Sequence, residues 1–344
     1  MGNWLETISV IYTGDEHESF KKTMHVATIK GDVEKIVDLK TSGVDVNEVE
    51  NGHTPLHLAI IKGKTHAARQ LISLGANHCK KNKDGYAALH LAVLYDRASL
   101  IDDLINMGID SDVDILDRNG NTALHTAVLM DNVDVVSKLV AGGAHTDLLN
   151  TEGNAPLHIS VLKDNAIVVR ELLAKGADAN LLNAEGDASL HIAVLRDNID
   201  MAYELVGGGE NINLLNEEGN APLHIAVLSG NVDIVRDLLS EGADAGLLNA
   251  KGNASLHIAV EEDNIDMAYQ LAEGSANIDL LNEEGNAPLH IAILRGNIDI
   301  VRDLLSNGAA TDLLNEHGNY PLLMAIIQGN LDMIREIFEF AETN

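Results

Sequence analysis

Asn216-Glu217-Glu218-Gly219-Asn220, then Ala221-Pro222-Leu223-His224-Ile225-Ala226-Val227-Leu228, then Ser229-Gly230-Asn231 and Val232-Asp233-Ile234-Val235-Arg236-Asp237-Leu238-Leu239, is the stretch on which the fold turns. Its first five residues are turn formers. Pro222 suits the first turn of a helix, where its missing N–H needs no partner and its fixed φ already fits. Gly230 and Gly242 follow apolar runs, where a left-handed residue ends a helix. Asn231 is placed to cap a second helix, and Asp233 lies in the first turn of that helix, where the helix dipole favours a negative charge. Ile234, Val235, Leu238 and Leu239 form one apolar stripe at helical spacing. The unit therefore reads as turn, short helix, break, second helix, loop.

The unit recurs. The histidine of the Leu-His pair appears at His57, His90, His125, His158, His191, His224, His257 and His290, in steps of 33, 35, 33, 33, 33, 33 and 33. A further step of 33 reaches Leu323, and a step of 32 backward reaches His25. Ten units follow. All five prolines (Pro55, Pro156, Pro222, Pro288 and Pro321) occupy the helix-start slot. Two-turn helices are unstable alone and must stack to bury their apolar stripes. The last unit departs from the pattern, with two of the three phenylalanines at Phe338 and Phe340. A longer period of 66 is also visible. Units near Asn150, Asn216 and Asn282 share Ala-Pro-Leu-His, and those near Asn183 and Asn249 share Ala-Ser-Leu-His. Alternate units are thus expected to show a partner alternate side chains.

These residues resemble the ankyrin repeat. Thr54-Pro55-Leu56-His57-Leu58-Ala59 matches the family signature Thr-Pro-Leu-His-x-Ala, and Ala155-Pro156-Leu157-His158, Ala221-Pro222-Leu223-His224 and Ala287-Pro288-Leu289-His290 match it more loosely. Gly-Ala-Asp follows at Gly176-Ala177-Asp178 and Gly242-Ala243-Asp244. The resemblance implies an all-α solenoid of paired antiparallel helices with projecting β-hairpin-like fingers. It also implies protein binding through the concave face of inner helices and the finger tips. The expected organisation is an N-terminal extension or cap over 1–19 and a repeat domain of about ten repeats over 20–344. Most units have Ala where the family prefers a capping Thr. Asn154, Asn220, Asn253 and Asn286, one residue earlier, are expected to take over the cap.

Composition narrows the function. Apolar residues make up 46% of the 344, but aromatics only 3%, so the core is built from Leu, Ile, Val and Ala. Against 53 acidic residues stand 23 basic ones, a formal net charge of −30. Such a field repels phosphate backbones and anionic membranes, so neither nucleic acid nor membrane insertion is expected. The bland account of the acidity is solubility. Cys79 is the one cysteine, which fits a reducing, cytoplasmic compartment. No run approaches the ~20 apolar residues of a membrane-spanning helix. The N-terminus lacks a basic region followed by a long apolar run, so no secretory signal is expected. Met1-Gly2 opens like a myristoylation signal, but Glu6 stands where Ser or Thr is wanted.

Fifteen histidines invite a metal reading. Successive layers of packed helices lie about 10 Å apart, whereas zinc needs every ligand within about 2.0–2.3 Å. The column therefore cannot form one site, and its histidines are expected to bond backbone and lock layers together. Asp110-Ser111-Asp112-Val113-Asp114, where the 35-residue step lengthens a finger, alternates acids as a calcium loop does. However, Ile115 replaces the glycine of such a loop and Asn121 its bidentate glutamate. It reads as a longer acidic finger tip. No phosphate loop, Walker lysine or nucleophile elbow occurs, so no cofactor and no enzymatic activity are expected.

Two sets of residues are candidates for binding. The finger acids are Glu152, Glu185, Glu217, Glu218, Glu283, Glu284 and Glu316. The second set is the residue four after the repeat histidine: Leu94, Leu129, Leu162, Leu195, Leu228 and Leu294, with Glu261 the exception. An apolar strip rimmed by acids suits a basic or amphipathic segment of a partner protein. The competing account is that these leucines pack between layers. The expected function is a non-enzymatic scaffold or adaptor, with a regulator that acts by occupying its target as the alternative.

Overall fold

The computed structural model describes residues 23–106, 113–273 and 277–343, with side chains up to 340. The extension expected over 1–19, with Trp4, lies outside the described residues. Two compact units are present, Met1–Thr151 and Glu152–Asn344. Among the described residues the first unit holds α1 (Met24–Lys30), α2 (Val33–Thr41), α3 (Pro55–Ile61), α4 (Thr65–Ser73), α5 (Ala88–Leu94), α6 (Ala98–Ile105), α7 (Ala123–Leu129) and α8 (Val133–Ala141). The second holds α9 (Pro156–Leu162), α10 (Ala166–Ala174), α11 (Ser189–Leu195), α12 (Ile199–Gly207), α13 (Pro222–Leu228), α14 (Val232–Ser240), α15 (Ser255–Glu261), α16 (Ile265–Glu273), α17 (Pro288–Arg295), α18 (Ile298–Ser306), α19 (Pro321–Gln328) and α20 (Leu331–Thr343). Ten helix pairs therefore match the ten units read from the repeat.

Within each unit, first helices pack on first helices, and each first helix packs on its own second. Leu223, Ile225 and Val227 are buried on α13, and Ile234, Val235 and Leu238 on α14. The interior is a column of Leu, Ile, Val and Ala. Small side chains let short helices approach closely, which accounts for the scarcity of aromatics. No strand occurs among the described residues, and the isolated bridge Glu50–His53 is the sheet-like pairing seen there. The fingers are instead closed by tight turns: Asn216 N–H donates to Asn220 O at 2.9 Å, and Gly219 N–H donates to Asn216 O at 2.8 Å. Gly219 has φ +73°, and a Cβ there would fall 2.7 Å from the backbone N of Ala250 in the next finger. Only glycine meets both conditions.

Second helices that start after Asn are capped as the pattern predicts, whereas α4 and α6, starting after Lys64 and Arg97, have no side-chain cap. Asn231 Oδ1 accepts from Ile234 N–H at 3.0 Å, and Asn165, Asn198 and Asn132 repeat the contact. Gly230 is left-handed at φ +74°. In other repeats Asp96, Asp131, Asp164, Asp197 and Asp263 hold the same slot at φ +52° to +58°. Asp tolerates this region better than most residues, and here the carboxylate is used. Asp164 Oδ1 accepts from Asn198 Nδ2 of the next repeat at 2.6 Å, and Asp197 and Asp263 pair likewise with Asn231 and Asn297.

The 66-residue period has a structural account on the second helices. Arg170 reaches Glu204 at 3.3 Å and Arg302 reaches Glu336 at 2.6 Å, while Arg236 Nη2 lies 3.5 Å from Gln270 Oε1. Each arginine joins one member of the two-repeat block to the next. These exposed contacts set register more than stability, at about 0–1 kcal/mol each.

First helices are capped differently from the expectation. Ala221 is the N-cap of α13 and carries no acceptor. Asn220 sits one residue too early, and its Oδ1 is held by Asn249 Nδ2 at 3.1 Å. Thr54 and Thr122, in the same slot of other repeats, accept from His57 N–H and His125 N–H at 3.3 Å. Ala221→Thr is therefore expected to stabilise the chain by about 1 kcal/mol, read as a rise in the midpoint of urea unfolding.

Glu210 occupies a slot that is alanine at Ala177, Ala243 and Ala309. It is buried; Oε1 accepts from Leu190 N–H at 2.8 Å, and Oε2 has no partner. Burial pushes its carboxyl up to about 8 from 4.5. Between these two values the folded chain keeps a proton that the unfolded chain has lost, so stability falls as pH rises through that window. Glu210→Gln keeps the acceptor and removes the ionisation. At pH 8.5 it should exceed the parent by on the order of 1–2 kcal/mol in urea unfolding, and at pH 4.5 the two should be nearly equal.

Candidate protein-binding surface

The repeat histidine positions everything around it. In the α13 repeat, Ala221 N–H donates to His224 Nδ1 at 2.9 Å. Nδ1 is thus the acceptor, and Nε2 carries the proton and donates to Leu247 O at 2.9 Å, in the finger leading to the next repeat. His57, His158, His191, His257 and His290 make the same pair of contacts, with Nε2 on Lys80, Leu181, Leu214, Leu280 and Leu313. His90 has the Nε2 contact alone, to Asn121 O at 2.9 Å. With both ring nitrogens engaged, the six other imidazoles lock layers, as the spacing argument expects, and have no lone pair left for a metal. No group of three or more His, Cys, Asp or Glu among the described residues is arranged to hold an ion. Asp110, Ser111 and Asp112 lie outside the described residues. Asp114 accepts from His145 N–H at 3.1 Å, tying one finger to the next.

α5, α7, α9, α11 and α13 end at the candidate leucine, α17 ends one residue after Leu294, and α3 ends at Ile61, which is buried. Val227 is 3% exposed, whereas the adjacent Leu228 is 52% exposed. Leu129, Leu162, Leu195 and Leu294 are exposed in the same way, and Leu94 is half-buried. Packing between layers therefore uses only part of each side chain. Leu94 and Leu129 belong to the first unit, and Leu162, Leu195, Leu228 and Leu294 to the second.

The slot lies against the finger. Glu261, its acidic exception, accepts from Asn253 Nδ2 at 3.1 Å. Asn253 belongs to a row of buried asparagines that bond finger to finger: Asn282 Nδ2 donates to Asn253 Oδ1 at 2.9 Å, and Asn315 Nδ2 to Asn286 Oδ1 at 3.1 Å. The same row touches the finger acids. Asn183 Nδ2 donates to Glu185 at 3.3 Å, Asn220 Nδ2 to Glu218 at 3.4 Å and Asn286 Nδ2 to Glu284 at 3.3 Å. Leucine slot, asparagine row and acids Glu185, Glu218 and Glu284 are thus neighbours. Glu217 and Glu283 instead pack over Gly186 and Gly252 of the preceding finger. Glu316 packs likewise over Gly285, and Glu152 is exposed on its finger.

Two rows escaped the sequence reading. One follows the leucine slot, with exposed Lys163, Arg196 and Arg295, so in the second unit the strip has cations at its helix end as well as acids at its finger side. The other is the second leucine of the finger, exposed at Leu116, Leu149, Leu215, Leu248, Leu281 and Leu314. Its 33-residue spacing was visible in sequence. Its exposure was not, because the adjacent leucine supplies the carbonyl that the histidine bonds. Charge is also uneven: the first unit has 14 basic and 21 acidic residues, net −7, and the second 9 and 32, net −23.

With the geometry in place, the comparisons agree with it. The model for ankyrin repeats (3 copies) matches residues 24–114, 99–183, 163–249, 190–282 and 256–344. The chain belongs to the ankyrin-repeat family. The ankyrin repeat domain of Bcl-3, described as a member of the IkappaB protein family, is similar in structure, with a TM-score of 0.59 and 31% identity over 63% of this chain and 100% of that one. Protein phosphatase 1 regulatory subunit 27 is 40% identical in Mus musculus and 42% in Homo sapiens, each over 70 residues, 20% of this chain and 46% of the relative. Putative ankyrin repeat protein FPV240 of Fowlpox virus (strain NVSL) is 35% identical over 77 residues, 22% of this chain and 19% of that protein. The chain spans less than half the length of the curated relatives it matches.

Burial holds the repeat histidines below their ordinary value of 6.5, with His57 lowered to about 4 and His90, His158, His191, His224, His257 and His290 lowered in the same direction. The unfolded chain binds protons at pH 6.5 that the folded chain refuses. Stability is therefore full above 6.5 and lost as pH falls. Exposed carboxylates stay charged down to about pH 5, but the buried Glu210 carboxyl opposes the histidines between 6.5 and 5, so the measurement is made on the Glu210→Gln chain. A drop in Tm on the order of 10 °C from pH 7 to pH 5 is expected in calorimetry.

Proposed function

We propose that this chain is a non-enzymatic interaction scaffold whose second unit docks a segment of a partner protein along Leu162, Leu195, Leu228 and Leu294. The observation that carries the reading is the abrupt change at the helix end, where a buried valine, or Ile293, is followed by a half-exposed leucine in repeat after repeat. Exposed apolar residues in one row mark an interaction site. Glu185, Glu218 and Glu284 border the row through the asparagines, and Glu152, Glu217 and Glu283 add to the acidity of the fingers. A basic or amphipathic segment complements that surface. The first unit, taken by itself, has Leu94 and Leu129 in the same slot of its own repeats. The reading takes residues 20–344 as the repeat domain and the cytoplasm as its compartment, on the strength of the single cysteine. No helix among the described residues is long and apolar enough to cross a membrane.

A second reading, in which occupancy regulates the target, is favoured by one observation: two relatives carry the name of a phosphatase regulatory subunit. The two readings share the docking surface and differ in its consequence.

Leu162→Ser, Leu195→Ser and Leu228→Ser combined test the surface. Exposed substitutions change stability by about 0.5 kcal/mol each or less, so folding should persist. Recovery of partners by the tagged chain from lysate, read by quantitative mass spectrometry, should fall about tenfold or more. A collapse in Tm would show the leucines to be packing residues, and unchanged recovery would remove the surface from consideration.

A further inference from the structure

Two segments of the chain act as a natural substitution experiment. Ser189–Tyr203 and Ser255–Tyr269 agree at 13 of 15 positions, and the two differences are adjacent: Leu195-Arg196 in one, Glu261-Glu262 in the other. Both segments fold alike, as α11 with the start of α12 and as α15 with the start of α16. The buried residues are the same in each: Leu190 and Leu256, His191 and His257, Met201 and Met267. Leu195, Arg196 and Glu262 are exposed, and Glu261 is half-buried. Packing therefore makes no demand at these two positions. What separates the copies is the surface they present, apolar and cationic in one repeat, doubly acidic in the other.

The acidic pair interrupts the row. Read along the second unit, the slot is Leu162, Leu195, Leu228, Glu261, Leu294, so Glu261 stands between two exposed leucines. Asn253 donates one hydrogen bond to Glu261, and among the described residues neither Glu261 nor Glu262 is joined to a cation in a salt bridge. An apolar side chain laid over Glu261 would strip water from a carboxylate without replacing its partners, which is costly. A Lys or Arg there would gain a charge-assisted bond and relieve the repulsion between two neighbouring acids.

We propose that the strip is read in register: the docked segment of the partner places a Lys or Arg over Glu261-Glu262 and apolar residues over Leu228 and Leu294. The inference rests on the docking surface described under Proposed function and adds the position of the cation. Adjacent repeats are about 10 Å apart, so the cation lies about three residues from each apolar contact in an extended segment, or six to seven in a helix. The row thereby discriminates among amphipathic segments, since one with an unbroken apolar stripe buries a charge.

The test uses a displayed library of random 20-residue peptides selected on the whole chain, with the winners resynthesised and their Kd measured. The variant is Glu261→Leu with Glu262→Arg, which copies the sister segment and so folds as that segment does. Selected peptides should carry a Lys or Arg and bind this variant at least tenfold more weakly. Replacing that cation by Leu in the peptide should restore binding to the variant. Peptides that are lost on the triple serine chain but change less than threefold on the Glu261→Leu, Glu262→Arg chain would overturn the register and leave the surface standing. Peptides that bind the triple serine chain as well as the parent would overturn the surface itself, and the register with it.

Discussion

The structure depends on a bridging imidazole that recurs at His57, His158, His191, His224, His257 and His290. Its Nδ1 accepts the N–H that opens the first helix, and its Nε2 donates to a carbonyl in the finger leading onward, as His224 does between Ala221 and Leu247. A neutral ring can accept on one nitrogen and donate from the other, and no other side chain does so across a rigid span of this size. The bridge fixes where the helix starts relative to the finger, and everything else at a junction is then placed: the asparagine row, the left-handed break and the acid-to-arginine contacts of the second helices. Its cost is that the ring must stay unprotonated while buried.

Because each junction is satisfied by backbone, histidine and asparagine, the end of the first helix carries only part of the packing. Leu195-Arg196 and Glu261-Glu262 occupy the same place on nearly the same segment, and the helices around them do not differ in register or burial. The exposed surface can therefore vary from repeat to repeat while the stack stays the same, as expected of a quasi-one-dimensional fold. Glu210 marks the opposite case, a polar group introduced into a junction slot that elsewhere holds alanine.

Much of the fold was legible because its determinants are local. The 33-residue step, proline at helix starts, Asn231 as a cap and Gly230 as a stop each act within a few residues of themselves. The row Leu162, Leu195, Leu228, Leu294 was legible as a periodicity. The role of Asn220 was misread because a side chain one position before a helix has two acceptable uses, and only the neighbouring finger, with Asn249 in reach, settles between them. The finger leucines and the cations Lys163, Arg196 and Arg295 were present in the periodicity but carried no sign of exposure.

From the sequence alone come the repeat, the helix pairs and the aliphatic core, since all of these follow from spacing along the chain. Tertiary structure decided which atoms each histidine joins, which of two adjacent leucines is covered, and that Glu261 lies beside a finger asparagine. His224 reaches a carbonyl 23 residues away and Glu261 an asparagine 8 residues away, contacts that only folding brings together, and a one-dimensional pattern holds no information on which face of a residue its neighbour will cover.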